Sequence, residues 1–447
     1  MTEEWCNDKY RDSKKYWRKI KPHKSNEIIE IPLQQFQKYY TELFAVDINP
    51  CDNELGTYSK NVEMLDKEFE VHELEGAINH QKNGKAAGSD DIKGEFLRYG
   101  RDNLKYIFTD LCNTLYNEGF YPDEWATGII IPIFKKGDRS LPSNYRGITL
   151  TSCMSKVFTY ILNQRLCRWF EQSDILSQSQ FAYRQGYSTT DAVFVLNSVL
   201  SLNLHRTVYC AFIDFTKAFD CIDRQILYRK LMNSGVSSKM LHILVNMYSK
   251  IKSKVRTTEG TTNSFEISTG LMQGECLSPS LFSFYINDMD EVMNDTDSMG
   301  ILVGATRITV LKYADDVVLL SSSVSGLQNG LNNLYDYCVQ NKLNVNITKS
   351  KLMCFSRRVN KNLPEVHFND HILEWVDSFK YLGVTFTRTC SFIRTQEMLC
   401  EQARRAQTVL DLHILRHPTL SVQHILELFD TLIKPILLFG CEVWGVG

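Results

Sequence analysis

The chain has 447 residues, more than one ordinary domain needs, and its 43% hydrophobic and 23% charged residues are the values of a folded globular protein, which excludes a largely disordered chain. Fifty basic against 52 acidic side chains leave a formal net charge of -2, which excludes a uniformly basic nucleic-acid coat, so that any such surface has to be a local patch. The 13 cysteines are scattered and contain no C-x-x-C pair, which points away from a zinc site or a disulfide framework and towards reduced thiols. No stretch reaches the roughly 18 apolar residues of a membrane span, and the start lacks the apolar core of a signal peptide. The expectation is a soluble intracellular chain, in the nucleus or the cytoplasm, with no membrane partner.

In chain order, residues 1–73 read as a basic, linker-like extension. KYRDSKKYWRKIKPHK, Lys9 to Lys24, sets Tyr10, Tyr16 and Trp17 among cations. Such a run either follows a phosphate backbone with its rings on bases or forms a solvated helix face, the commoner case. GAINHQKNGKAAGSDDIKGEFL then combines a short helix with a polar, Gly-rich loop, and GIIIPIFKKGDRS is a buried-strand run ending in a turn. KVFTYILNQRLCRWF predicts a helix with Phe158, Leu162, Leu166 and Trp169 on one face and Arg165 and Arg168 elsewhere. DAVFVLNSVLSL is a second helix. The apolar run from Val208 to Ile213 stops abruptly at Asp214. A helical segment from Arg224 to about Ser253, a hairpin around Glu259 and Gly260, and an apolar helix after GLMQGECLSP follow. KYADDVVLL is a strand, a turn and a strand. LQNGLNNLYDYCVQN predicts an amphipathic helix, LNVNITKSKLMCFS a turn and a strand, FKYLGVTF a final short strand, and from about Thr385 the pattern is helical, with a kink at Pro435. The alternation of strands and helices predicts a mixed sheet with helices on one face.

Two adjacent acids inside an apolar strand run most often mark a hairpin tip. Asp315 and Asp316 have a distant counterpart in Asp214, which also closes an apolar strand. If the strands are neighbours, the carboxylates emerge at one edge, where they can bridge two Mg²⁺ ions roughly 3.5–4 Å apart. That arrangement serves phosphoryl transfer. Within a strand Asp316 points away from its neighbour, so it orients or tunes the field more than it ligates.

From about Leu74 to Gly445 the chain resembles the reverse transcriptase domain of non-LTR (LINE-type) retrotransposons. FIDFTKAFD resembles motif A, GLMQGECLSP motif B, YADD motif C, TKSK motif D and FKYLGV motif E. NGKAAGSDDI, IIPIFKKGDRSLPSNYRGITL and QFAYRQGYSTTDA are similar to the fingers motifs that precede them, all in the family's order. The resemblance implies an α+β right-hand polymerase: fingers 74–206, a palm 207–386 with a ferredoxin-like βαββαβ sheet, and a helical thumb 387–447. It implies RNA-directed DNA polymerase activity with an RNA template, a DNA primer or RNA/DNA hybrid, dNTPs and two Mg²⁺ ions, Mn²⁺ being an alternative. Asp214, Asp315 and Asp316 would be the catalytic acids and metal ligands. Lys349 would protonate the departing pyrophosphate, with Lys351 as its competitor. Lys135, Lys136 and Arg146 would grip the triphosphate. Phe219 would lie beneath the sugar and block a 2'-hydroxyl, and Gln273 with Gly274 would approach the nascent base pair. Asp220 and Asp223 are expected to cap the next helix.

The sequence departs from the family pattern at Ser89-Asp90-Asp91, where Pro-Asp-Gly is usual, at Cys276 in motif B, and at RGI in place of RPI. Neither the upstream endonuclease nor the downstream Cys/His knuckle of many relatives is visible, so the chain is expected to be a truncated copy. Rival readings are an inactive RNA-binding remnant, an RNA-synthesising polymerase, and a group II intron maturase.

Overall fold

The computed structural model describes residues 31–44, 56–203, 205–272, 274–294, 299–357, 363–416 and 421–445; the basic run Lys9–Lys24 and Gln273 lie outside them. Helix α1 (Leu33–Phe44) places Phe36, Tyr40 and Phe44 four residues apart on one face, and all three are buried. They join the main hydrophobic core together with Leu65 and Phe69. The expectation of a separate linker over residues 1–73 is therefore corrected for its described part, because an aromatic stripe at helical spacing has apolar area to bury.

Helices α2 (Val71–His80) and α3 (Asp102–Glu118) pack against each other, and a first sheet is built on β1 (Thr127–Phe134) and β2 (Tyr145–Leu150), an antiparallel pair in which Ile133 faces Arg146. Helix α4 (Cys153–Gln172) starts at Ser152, whose hydroxyl accepts from Met154 N, and it is buried along most of its length. Arg165 is only 1% exposed, contrary to its expected outward position, because α4 is enclosed on more than one side. Its guanidinium donates to both carboxylate oxygens of Glu73, at 2.9 and 2.7 Å, and to backbone carbonyls of Leu65, Lys67 and Glu68.

After α5 (Thr189–Leu202) comes β3 (Val208–Asp214), and the segment expected as one helix to Ser253 is two, α6 (Arg224–Ser234) and α7 (Ser238–Ser249), broken at Gly235 and followed by β4 (Lys252–Thr257). Strand β4 runs parallel to β1. Helix α8 (Ser278–Tyr285), strands β5 (Val310–Tyr313) and β6 (Asp316–Ser321), helix α9 (Val324–Gln340), and strands β7 (Lys351–Phe355) and β8 (Glu374–Trp375) complete the centre. The central sheet has the order β8-β7-β3-β6-β5, in which the last four strands are antiparallel neighbours connected as a ferredoxin-like βαββαβ unit.

Both faces of this sheet are covered. Ala211, Ile213, Val317 and Leu319 point into the main core, while Val208, Cys210, Phe212, Val318 and Leu320 pack with Val193, Leu196 and Val199 of α5. This corrects the expectation of helices on one face, and it explains why β3 reads as a continuous apolar run and not as an alternation. FKYLGVTF is a hairpin instead of one strand, β9 (Ser378–Tyr381) and β10 (Val384–Thr387), and its Phe379 lies stacked 4.3 Å from the Phe212 ring. Helix begins only at α10 (Ile393–Arg416), followed by α11 (Val422–Leu432) and a break before Pro435. Among the described residues no helix is long and apolar enough to cross a membrane.

Candidate active site

The register of the central sheet sets the site. Asp316, the first residue of β6, is the cross-strand partner of Asp214, the last residue of β3, while Asp315 lies in the loop between β5 and β6. Directly opposed residues share a face of the sheet, so Asp316 is on the side of Asp214, above the apolar stack of Phe212 and Val318. The alternation that separates Asp315 from Asp316 does not separate Asp316 from the distant aspartate.

Asp214 is clamped by the turn that leads into β7. Its backbone N donates to Ser350 Oγ at 3.1 Å, its carbonyl accepts from Asn346 N at 2.7 Å, and Lys349 Nζ lies 2.7 Å from its carboxylate Oδ2. Ser350 is fully buried and was not singled out by sequence; its position inside TKSK is the only signal that points to it. Lys351, the competitor of Lys349, is engaged elsewhere: its ammonium donates to Thr348 O and to Glu374 at 2.9 Å.

The three acids crowd one another. Burial first, then the charges of Asp315 and Asp214, push the Asp316 carboxyl up to about 6. Burial and the Asp214 charge also raise Asp315, which Lys349 and Arg146 partly offset. Arg146, exposed on β2 of the first sheet, is near enough for its charge to act on Asp315. Tyr183, in left-handed backbone at φ 60, joins the same group; burial raises its phenol, and the charge of Asp315 adds to the rise.

Oxygen-only donors, two of them with raised proton affinity, suit a hard divalent cation. Yet among the described residues no group of three or more His, Cys, Asp or Glu side chains is disposed to hold a metal as it stands. The ammonium of Lys349 already contacts Asp214, so cation binding at that oxygen requires Lys349 to move.

Phe219 is partly buried, its ring stacked on Phe282 at 4.6 Å. The motif A turn and the motif B loop are strapped together: Leu271 N donates to Phe219 O at 2.8 Å and Gly270 N to Ile222 O at 2.9 Å. A Cβ on Gly270, at φ +78, would lie 2.5 Å from the Asp220 carbonyl, and one on Gly274, at φ +110, would lie 3.0 Å from the Thr149 carbonyl of β2. Only glycine lets the loop close on both neighbours. Arg224, unremarked in the sequence, underpins this loop: 8% exposed, it donates to the carbonyls of Gly270, Tyr248, Ile267 and Thr269 at 2.7–3.2 Å. Asp223 caps α6 as expected, accepting from Gln225 N and Ile226 N. Asp220 does not cap it; it lines a cavity with Tyr40, Thr149 and Thr269, because the chain turns between the two aspartates. Lys135 and Lys136 are exposed at the turn after β1, where Lys135 N donates to Asn144 O at 3.0 Å.

The site thus belongs to an α+β chain whose ferredoxin-like sheet carries paired acids at one rim. The family described as Reverse transcriptase (RNA-dependent DNA polymerase) matches residues 133–386, more than half of the chain, and the chain belongs to it. The family read from the motifs is thus borne out. The "Probable RNA-directed DNA polymerase from transposon BS" of Drosophila melanogaster is 24% identical over 436 residues, covering 94% of this chain and 46% of that protein. The RNA-directed DNA polymerase from mobile element jockey of Drosophila funebris is 24% identical over 387 residues, covering 84% of this chain and 41% of its own length. The chain therefore spans less than half the length of these two relatives. Among solved structures, apo telomerase from Candida tropicalis truncated from its C-terminal domain aligns with a TM-score of 0.44 and 12% identity, over 64% of this chain and 59% of that one.

Proposed function

We propose that the chain is an RNA-directed DNA polymerase that extends a primer 3'-hydroxyl with dNTPs on an RNA template, as in retrotransposon reverse transcription in the nucleus or cytoplasm. In this reading residues 74–206 are the fingers, 207–386 the palm and 387–447 the thumb. The observation that carries it is the pairing of Asp214 with Asp316 beside Asp315 at one sheet rim, under the ammonium of Lys349.

Asp214, Asp315 and Asp316 would hold two divalent cations, Mg²⁺ or Mn²⁺, which when bound supply activation of the primer hydroxyl and charge neutralisation at the α-phosphate. Lys349, 2.7 Å from Asp214 and half exposed, would deliver a proton to the departing pyrophosphate oxygen. Arg146, with its planar fork, takes phosphate oxygens in pairs, while Lys135 and Lys136 act as point charges. Phe219, braced by Phe282, sits beneath the sugar and excludes a 2'-hydroxyl. Gln273 and Gly274 line the nascent pair. The hybrid is held through phosphates and A-form shape, so sequence preference is weak.

The test is extension of oligo(dT) on poly(rA) with Mg²⁺, comparing the intact chain with Asp315→Asn and supplying dNTPs and rNTPs separately. Extension by the intact chain with dNTPs alone, lost in Asp315→Asn, is the expected result. No metal-dependent difference between the two favours a binding remnant, and extension with rNTPs favours an RNA-synthesising enzyme.

A further inference from the structure

The loop that carries Asp315 is conformationally costly, and the group that maintains it comes from far away in the chain. Ala314, the residue before Asp315, is in left-handed backbone at φ 53, and Asp315 is not. A two-residue hairpin loop with positive φ at its first position only is the kind that favours glycine there, and alanine resists it through its Cβ. Such a conformation persists only when its surroundings over-determine it.

Gln180 supplies the constraint. Its side chain is fully buried, and its Oε1 accepts from Ala314 N at 3.3 Å and from Ala182 N at 3.0 Å. Both partners are backbone N–H donors, so only the amide oxygen can face them. The amide Nε2 is buried with no hydrogen-bond partner among the described residues, which marks the side chain as kept for its oxygen. The same segment is fastened to the root of the hairpin: Lys312 N donates to Ser179 O at 2.8 Å and Phe181 N to Lys312 O at 2.9 Å. On the far side the fully buried Lys312 ammonium donates to Ile286 O, Asn287 O and Asp290. Backbone and lysine thus hold the arm of the hairpin, and Gln180 alone among these contacts holds its tip.

We infer that Gln180 is a positioning residue for Asp315: by accepting from Ala314 N it fixes the left-handed turn that aims the Asp315 carboxylate at the cation site. The inference rests on the reading of Asp315 as a metal ligand, and it goes beyond that reading by making divalent-ion affinity depend on an uncharged side chain outside the acid cluster.

The experiment is Mn²⁺ titration of the full chain followed by electron paramagnetic resonance, with thermal melts to establish folding. Wild type against Asp315→Asn tests the metal reading by itself; equal binding overturns that reading and, with it, the inference. Given a loss in Asp315→Asn, Gln180→Met removes the acceptor at nearly constant shape and should weaken Mn²⁺ binding about tenfold, the scale at which groups that orient a metal ligand act. Glycine adopts the left-handed turn without help, so Gln180→Met combined with Ala314→Gly should recover most of the loss. A Gln180→Met chain that binds Mn²⁺ like wild type, or a loss that Ala314→Gly leaves untouched, overturns the inference while sparing the metal reading. Should Gln180→Met not fold, amide exchange in the wild type decides: protection of the Ala314 N–H is expected, and exchange at the rate of an open loop overturns the inference.

Discussion

Lys349 and Asp214 form a contact that the proposed reaction has to break. At 2.7 Å the ammonium covers a carboxylate oxygen at the rim where the acids crowd, and with its side chain 49% exposed it is free to swing away. In the proposed reaction the lysine that contacts Asp214 would also meet the leaving group. Lys349→Met should lower kcat by about a hundredfold, the low end of a lost general acid, with a smaller change in KM for dNTP. Steady-state primer extension checks this, and an unchanged kcat would assign the proton to another donor. Phe219→Ala should narrow the preference for dNTPs over rNTPs in the same assay, with some loss of stability because the ring also stacks on Phe282 at 4.6 Å. The acids were legible in the sequence because a carboxylate that ends an apolar run is out of place unless it has work. Ser350 and Arg224 were not, since a buried serine in a turn and an arginine at a helix start are ordinary until their partners are seen.

At the scale of elements, helix α4 shows why a one-face reading fails. Its stripe of Phe158, Leu162, Leu166 and Trp169 is buried as expected, but Arg165 between them is buried too, because α2 and the chain from Leu65 to Glu73 close over that side. The guanidinium also lies 4.2 Å from the Phe69 ring. Burial alone would raise the Glu73 carboxyl, but hydrogen bonding and charge from Arg165 outweigh it and hold Glu73 below the ordinary glutamate range. Removing one partner of such a buried pair costs about 3–5 kcal/mol. Arg165→Met should therefore lower the urea midpoint markedly at pH 7. The sign of the pH effect follows from the depressed carboxyl. The stabilisation is fully present above the unfolded glutamate pKa and is lost as pH falls through the lower folded value, so the gap between wild type and variant should narrow below about pH 4. Urea unfolding of both chains at pH 7 and in that acid range tests it; a gap that stays constant would mean that packing, not charge, holds the corner.

For the whole molecule, the central sheet was legible because β3 and β6 are almost wholly apolar runs that meet acids at their ends, whereas the role of the N-terminal region was not. The polar residues between Phe36, Tyr40 and Phe44 give α1 the look of the basic extension before it, and the three aromatics are too few to announce a core helix without their partners. Those partners belong to both halves of the site. Phe36 meets the Tyr145 ring edge-on at 5.2 Å, and Ser268 donates to the Phe44 carbonyl through its backbone N and, at 2.6 Å, through its hydroxyl. Tyr40, Ile130, Gly147, Asp220, Thr269 and Leu271 share one cavity. Helix α1 thus braces β2, which carries Arg146, against the segment that leads to Gly270 and the motif B loop. Truncating a buried aromatic of this size costs about 3–5 kcal/mol. If α1 only added stability, Tyr40→Ala would lower Tm and leave the kinetics of the folded fraction alone. If Arg146 and the motif B loop act as proposed, the ring stands between them, and Tyr40→Ala should also raise KM for dNTP several-fold while kcat per folded molecule changes little, Asp214 and Lys349 being anchored separately by the turn into β7. Primer extension below the variant's melting temperature, normalised to folded protein, separates the two cases; a KM equal to that of wild type would reduce α1 to a stabilising strap.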